Sequence, residues 1–334
     1  MKSNYRYIVK AFMAMAVIAG TTSCDDFLDR EPMSSISPET YYSTAAQLEA
    51  NLNDEYPNVL PSFGQWTYGI FGEDKGTDNQ IEVNANDRYT QDRWKVPHSE
   101  SDNWKFERIY RINFFLSEAL PKFGEDMSGS QNTISGSVAT IKHYIGEMYF
   151  LRAYEYFKKL QLFGDFPIID QPLADEMEAL REASKRFPRN EVARFIISDL
   201  DKAYAYMSDV DMATTRINKD AAMLVKSRVA LFEATWLQNF KGTAFVPGGE
   251  GWPGASLHNN YQYPSGNLDN EVKYFLEQAV EASKLVADKY KGNLTENTGV
   301  LQQSADDPSN PYFDMFAQED LSDVKEVLLW RQYS

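Results

Sequence analysis

Cysteine is nearly absent from this chain. Cys24 is the only one in 334 residues, so the chain holds neither a disulfide framework nor a CxxC metal or redox motif. Histidine is almost as scarce, and His98, His143 and His258 are too far apart for the spacing of a helical zinc site. Cations are in deficit: 33 Lys and Arg stand against 49 Asp and Glu, a net charge of −16. Nucleic-acid binding needs a basic footprint, and docking on anionic lipid headgroups needs a polybasic patch. The balance argues against both. No apolar run approaches the ~20 residues that span a bilayer as a helix. There is no Ser/His/Asp constellation, nucleophile elbow or P-loop. What remains is a globular chain, 43% hydrophobic and only 25% charged, long enough for one large domain or two ordinary ones.

The lone cysteine sits at an informative place. Residues 1–10 carry Lys2, Arg6 and Lys10 and no acid; residues 11–20 are small and apolar; Thr21, Thr22 and Ser23 lead to Cys24. A basic start, a short apolar run and small residues before a cut form a secretory signal. A cysteine at the cut point is where a bacterial lipoprotein is acylated. Residues 1–23 therefore read as a signal peptide, 24–36 as a lipidated tether and 37–334 as the folded domain. Loss of the three signal cations takes the net charge from −16 to −19, so membrane attachment falls to the lipid on Cys24.

Helical periodicity dominates the rest. Ser37-Pro38 has the form of a cap followed by proline at the first helical position. Thr44 and Gln47 form a capping box ahead of Leu48, Leu52 and Tyr56. The spacing predicts helices over 101–121 (Ile109, Ile112, Phe115, Leu116, Leu120 inward) and 137–163. The second is apolar on nearly all sides, as a central buried helix is, and Gly164-Asp165 with Pro167 ends it. Three more follow. One covers 190–207 from an Asn190 cap. The next covers 218–239 from Asn218, burying Ala221, Leu224/Val225, Val229, Phe232 and Trp236. The last covers 269–290 from Asp269, burying Val272, Leu276, Ala279, Val280 and Val286. Only Phe166–Ile169 and Glu326–Trp330 look extended. Two regions, 57–98 and 240–268, lack a helical stripe and read as long loops, which in a compact domain are usually functional. Successive helices with one apolar face each suggest a stacked, tetratricopeptide-like solenoid.

Five segments, in order, resemble the SusD/RagB family of nutrient-binding surface lipoproteins. They are CDDFLDREP after the signal, WKFERIYRIN at 104–113, GEMYFLRAYEYFKKLQLFGDFP at 146–167, RNEVARFIISDLDKA at 189–203 and RINKDAAMLVKSRVALFEATW at 216–236. The third is the most specific. The resemblance implies a mainly α fold of tetratricopeptide-like helix pairs with loop-rich insertions. It also implies glycan capture without catalysis, and a SusC-like TonB-dependent transporter as partner. The implied location is the outer membrane, lipid-anchored and facing outward. Family members continue past the equivalent of Ser334, and KEVLLWRQYS resembles an internal segment, so the expectation is a chain truncated at its C-terminal side.

Sugars present flat C–H faces and hydroxyl rims, which aromatic planes and Asp, Asn and Arg side chains grip. Loop aromatics are therefore the candidate ligand residues. One cluster holds Trp66, Tyr68, Phe71, Asp78, Asn79, Arg88, Tyr89, Arg93 and Trp94; the other holds Trp252, Asn259, Asn260, Tyr261 and Tyr263. The competing reading has each aromatic plugging its own loop onto the helices. Trp104 is expected to open a helix as a structural residue, and Arg152 and Arg228 to be buried arginines paired with carboxylates. Gly249, Gly251 and Gly254 spell GxGxxG without the strand and helix a dinucleotide site needs. Asp306, Asp307, Asn310 and Asp314 lack the regular spacing of a calcium loop, so no cofactor is expected, a structural calcium there being the alternative. The alternatives to glycan capture are peptide capture, a secreted helical glycoside hydrolase with two acids in one cleft, and a scaffold that only contacts the transporter.

Overall fold

The computed structural model describes residues 41–61, 80, 103–124, 126–208, 212–304 and 306–332. Cys24, the Ser37-Pro38 cap and nearly all of the first loop region lie outside them. Within unit 42–334 the elements are helical: α1 (Ala45–Val59), α2 (Glu107–Phe123), α3 (Val138–Phe163), α4 (Met177–Ala183), α5 (Arg189–Tyr206), α6 (Lys219–Asn239), a short 3-10 turn (Pro253–Ser256), α7 (Leu268–Tyr290) and α8 (Pro311–Met315). Among the described residues there is no β-strand; isolated bridges pair Thr44 with Ser135 and Phe166 with Phe187. The fold is mainly α, as the sequence predicts.

α3 is the central element. Ile141, Ile145, Met148, Leu151, Tyr156 and Leu160 are all buried, and α1, α2, α5 and α6 pack around it. α6 then packs on α5 and α7 on α6, so the helices stack in chain order, as a solenoid does. Gly146 sets the α3–α5 distance. A Cβ there would lie 2.8 Å from Met207 N and 2.9 Å from Ala203 O, main-chain atoms that cannot turn aside.

The predicted caps hold at Thr44, which forms the full capping box with Gln47, and at Asn218, which accepts from Ala221 N. They fail at two helices. α5 begins without a side-chain cap of its own, because Asp165, 24 residues earlier, accepts the Arg189 backbone N–H at 2.9 Å. A carboxylate at a helix N-terminus satisfies an orphan donor and suits the helix dipole, which leaves buried Asn190 free for tertiary bonds. α7 starts at Asn267, which accepts from Asn270 N at 2.8 Å, instead of Asp269.

Two predicted faces are turned in part. α7 buries Glu271, Phe275, Ala279, Ala282 and Val286, while Leu276 and Val280 are exposed. Glu271 is drawn inward by Arg194, and the N-terminal half of the stripe shifts by one residue, while Ala279 and Val286 are buried as predicted. α6 buries Ala221 and Val229 as predicted, together with Ala222, Met223, Ala230, Ala234 and Leu237; Leu224 is exposed and Phe232 and Trp236 are half-buried. Small alanines let α5 and α7 approach α6 closely, so its larger apolar residues are displaced outward. Trp104 precedes α2 instead of opening it, and its ring meets Phe163 and Phe166 edge-on at 4.9 Å each.

Candidate functional site

The second predicted ligand cluster lies on the loop between α6 and α7. Its three aromatic residues meet: the rings of Trp252 and Tyr261 are 5.6 Å apart, those of Tyr261 and Tyr263 5.1 Å. His258 stacks on Trp252 at 5.9 Å. The polar tips turn inward. Trp252 is only 5% exposed, and its indole N–H donates to Asp165 Oδ2 at 2.7 Å. Tyr261 O–H and Asn190 exchange hydrogen bonds at 2.9 and 3.1 Å. Tyr263 O–H donates to Pro247 O at 2.5 Å. Burial pushes the Tyr261 and Tyr263 hydroxyls well above the ordinary tyrosine range. Trp252 therefore offers no open face; it fastens the loop onto the helices. Half-buried Tyr261 and Tyr263 and exposed Asn259 and Asn260 form its outer surface. The GxGxxG glycines belong to the same loop, where Gly251 has φ +76° and the 3-10 turn follows directly.

This explains the Phe163-Gly164-Asp165-Phe166 run. Gly164 ends α3 at φ +67°, a conformation that favours glycine. Asp165 then caps α5 with one oxygen and holds Trp252 with the other. Phe166 is fully buried, stacked on Phe106 at 5.1 Å. Below, Arg189 pairs with Glu233 at 2.9 Å, both buried, and lies 4.1 Å from the Trp236 ring. Burial raises the Glu233 carboxyl and Arg189 opposes the rise.

Glu271 is the next anchor. Arg194 grips it with two bonds of 2.7 and 2.8 Å, and Asn190 and Ser265 N add two more. Burial alone would raise its pKa; these donors outweigh burial and leave it below the ordinary value of 4.5. A lowered carboxylate pKa contributes stability above the unfolded value, and that contribution is lost as pH falls through the folded one. Glu271→Gln is therefore expected to flatten the loss of urea-melt midpoint between pH 5 and pH 3 relative to wild type. Parallel acid limbs for the two proteins would contradict the assignment.

The remaining candidates, Trp66, Tyr68, Asp78, Asn79, Arg93 and Trp94, with Phe71, Arg88, Tyr89 and Cys24, lie outside the described residues. Among the described residues no group of three or more His, Cys, Asp or Glu side chains is arranged to hold a metal. In the acidic stretch, Asp307 accepts from Gln303 N and Ser304 N at 2.8 Å each. No described helix is long and apolar enough to cross a membrane.

A groove of about 790 Å³ that sequence reasoning missed runs between α1, α3, α6 and residues 326–332. Tyr56, Phe150, Tyr154, Leu224, Arg228 and Trp330 line it. Tyr56 O–H donates to buried Glu147 at 2.5 Å and accepts from Ile217 N at 2.9 Å. Glu326 lies in a turn and residues 327–332 follow α6 without regular structure; Trp330 is held by Thr214 through its backbone and indole N–H. Arg152 is buried and paired with Asp199 as expected. Arg228 is not: it is exposed and makes no ion pair among the described residues. The signal was the Leu224–Arg228 step of four residues on α6, which places both on one face.

A family model described as starch-binding in association with the outer membrane matches residues 26–231. The chain belongs to this SusD-like family. The SusD-like protein P2 of Formosa agariphila is 25% identical over 253 residues, covering 72% of this chain and 46% of that one. The SusD-like protein P25 of the same organism is 25% identical over 233 residues, covering 64% and 41%. This chain thus spans less than half the length of these relatives. A solved SusD-like carbohydrate-binding protein from Bacteroides fragilis aligns at 15% identity with a TM-score of 0.46, covering 78% of this chain and 43% of that one.

Proposed function

We propose that this chain is a non-catalytic surface lipoprotein that captures glycans and hands them to a SusC-like TonB-dependent transporter in the outer membrane. The observation that carries this is the family match across residues 26–231. The signal and Cys24 support a lipid anchor. The loop aromatics supply the flat faces that sugar rings stack on. Trp66, Tyr68 and Trp94 are the proposed platform, with Asp78, Asn79 and Arg93 as hydroxyl partners. Tyr261 and Tyr263 are the proposed contacts from the second loop, held in place by Trp252.

Native gel electrophoresis through polysaccharide-containing gels tests the platform. Trp94→Ala is expected to lose at least tenfold in glycan affinity with its far-UV spectrum unchanged; unchanged retardation would remove Trp94 from the site. Cys24→Ser tests the anchor: the protein is expected to leave the outer-membrane fraction, and its retention there would overturn lipid attachment.

A further inference from the structure

The groove between α1, α3 and α6 has a charge opposite to that of the chain. Across a molecule of net charge −16, its described lining holds Arg228 and Arg331 against one carboxylate, Glu326. Glu326 is committed to Thr295 N at 3.2 Å. Elsewhere in the fold Arg111, Arg152, Arg189, Arg194 and Arg216 all pair with carboxylates. Arg228 does not, and it lies close enough to Tyr154 to oppose the rise that burial gives that hydroxyl.

The walls around this cation are flat and fixed. Tyr154 lies parallel to Phe150, with an 8° angle between rings 6.2 Å apart. Trp330 spends its indole N–H on Thr214 Oγ1 at 2.8 Å, so what it presents is ring surface. The volume, about 790 Å³, falls within the range of pockets that enclose small ligands. Apolar planes beside one unpaired guanidinium match a ring with C–H faces and a single carboxylate, which arginine binds through two parallel hydrogen bonds.

We infer that this groove is a sugar-binding cleft that selects a uronic-acid residue, its carboxylate on Arg228 and its ring against Tyr154 and Trp330. The inference rests on the glycan-capture reading above. The chain's negative charge repels fully ionised polymers, so the fitting ligand carries isolated uronate units on a neutral backbone.

Titration calorimetry on the full chain tests this with two matched pairs. One pair is a glucuronic-acid-substituted xylo-oligosaccharide and its unsubstituted counterpart. The other is a sparsely de-esterified galacturonan oligosaccharide and its full methyl ester. Wild type is expected to prefer the acidic member of at least one pair tenfold or more. Arg228→Gln is expected to cut that preference to within twofold, and Arg228→Lys to keep part of it. Equal affinities within both pairs for wild type overturn the inference without any variant, as does a preference that survives Arg228→Gln. Binding of neutral glycans alone overturns uronate selection and leaves glycan capture standing. Failure of every glycan, acidic and neutral, overturns both, and binding of acidic peptides in their place would identify the alternative ligand.

Discussion

Arg152→Met is expected to destabilise the protein by about 3–5 kcal/mol, the usual cost of removing one partner from a buried ion pair. Arg152 is 3% exposed. From α3 it donates through Nε and Nη2 to Asp199 on α5 at 2.7 and 2.8 Å. Through Nη1 it donates to Asn113 on α2 at 2.9 Å and to the Asp170 carbonyl at 3.0 Å. One side chain thus ties three helices and the segment after Pro167. Its loss leaves Asp199 fully buried, with Lys202 at 3.8 Å as its remaining ion-pair partner among the described residues. Replacing both partners, Arg152→Met with Asp199→Leu, removes the stranded charge and is expected to recover most of the loss. Urea melts of the wild type, both single variants and the double variant measure this. A double variant as unstable as Arg152→Met would show that the cost lies in packing and not in the uncompensated carboxylate.

Trp252→Ala is expected to cost about 3–5 kcal/mol, the range for deleting a large buried aromatic side chain. Two effects combine. The ring packs against His258 and Tyr261, and Asp165, whose pKa burial already raises, loses the 2.7 Å bond from the indole. Trp252→Phe separates them. It keeps most of the volume and removes only the donor, so about 1–3 kcal/mol is expected. Because Trp252 pins the loop that carries Tyr261 and Tyr263, Trp252→Ala should also weaken glycan binding, whereas Trp252→Phe should weaken it less. Equal stability losses in the two variants would mean that the hydrogen bond, not the ring, holds the loop.

Much of the helical frame was legible because periodicity reports burial directly. α3 is apolar all round and proves central, and Arg152 within it is paired as a buried arginine must be. Two of the misreadings share a cause: a distant polar group overrides a local signal. Asn190 looks like a cap, but Asp165 supplies the cap across 24 residues, and no local pattern records that bond. Leu276 and Val280 look like core, but Glu271 takes the inward face because Arg194 and Asn190 satisfy it. Arg228 looks like a second buried ion pair, yet α6 is apolar on two sides and that side borders a groove closed by residues more than 90 positions later. Sequence marks Trp252, Tyr261 and Tyr263 as companions, and their rings do meet. It does not show that their polar atoms face inward, since that depends on Asp165, Asn190 and Pro247 brought together by the fold.

The account turns on capture without turnover. The most direct measurement is titration calorimetry of residues 25–334 against soluble plant, host and microbial polysaccharides, with released sugars assayed in the same samples. Saturable binding to at least one glycan, with no products, is the predicted result. Released products, or an absence of binding across the whole panel, would contradict it.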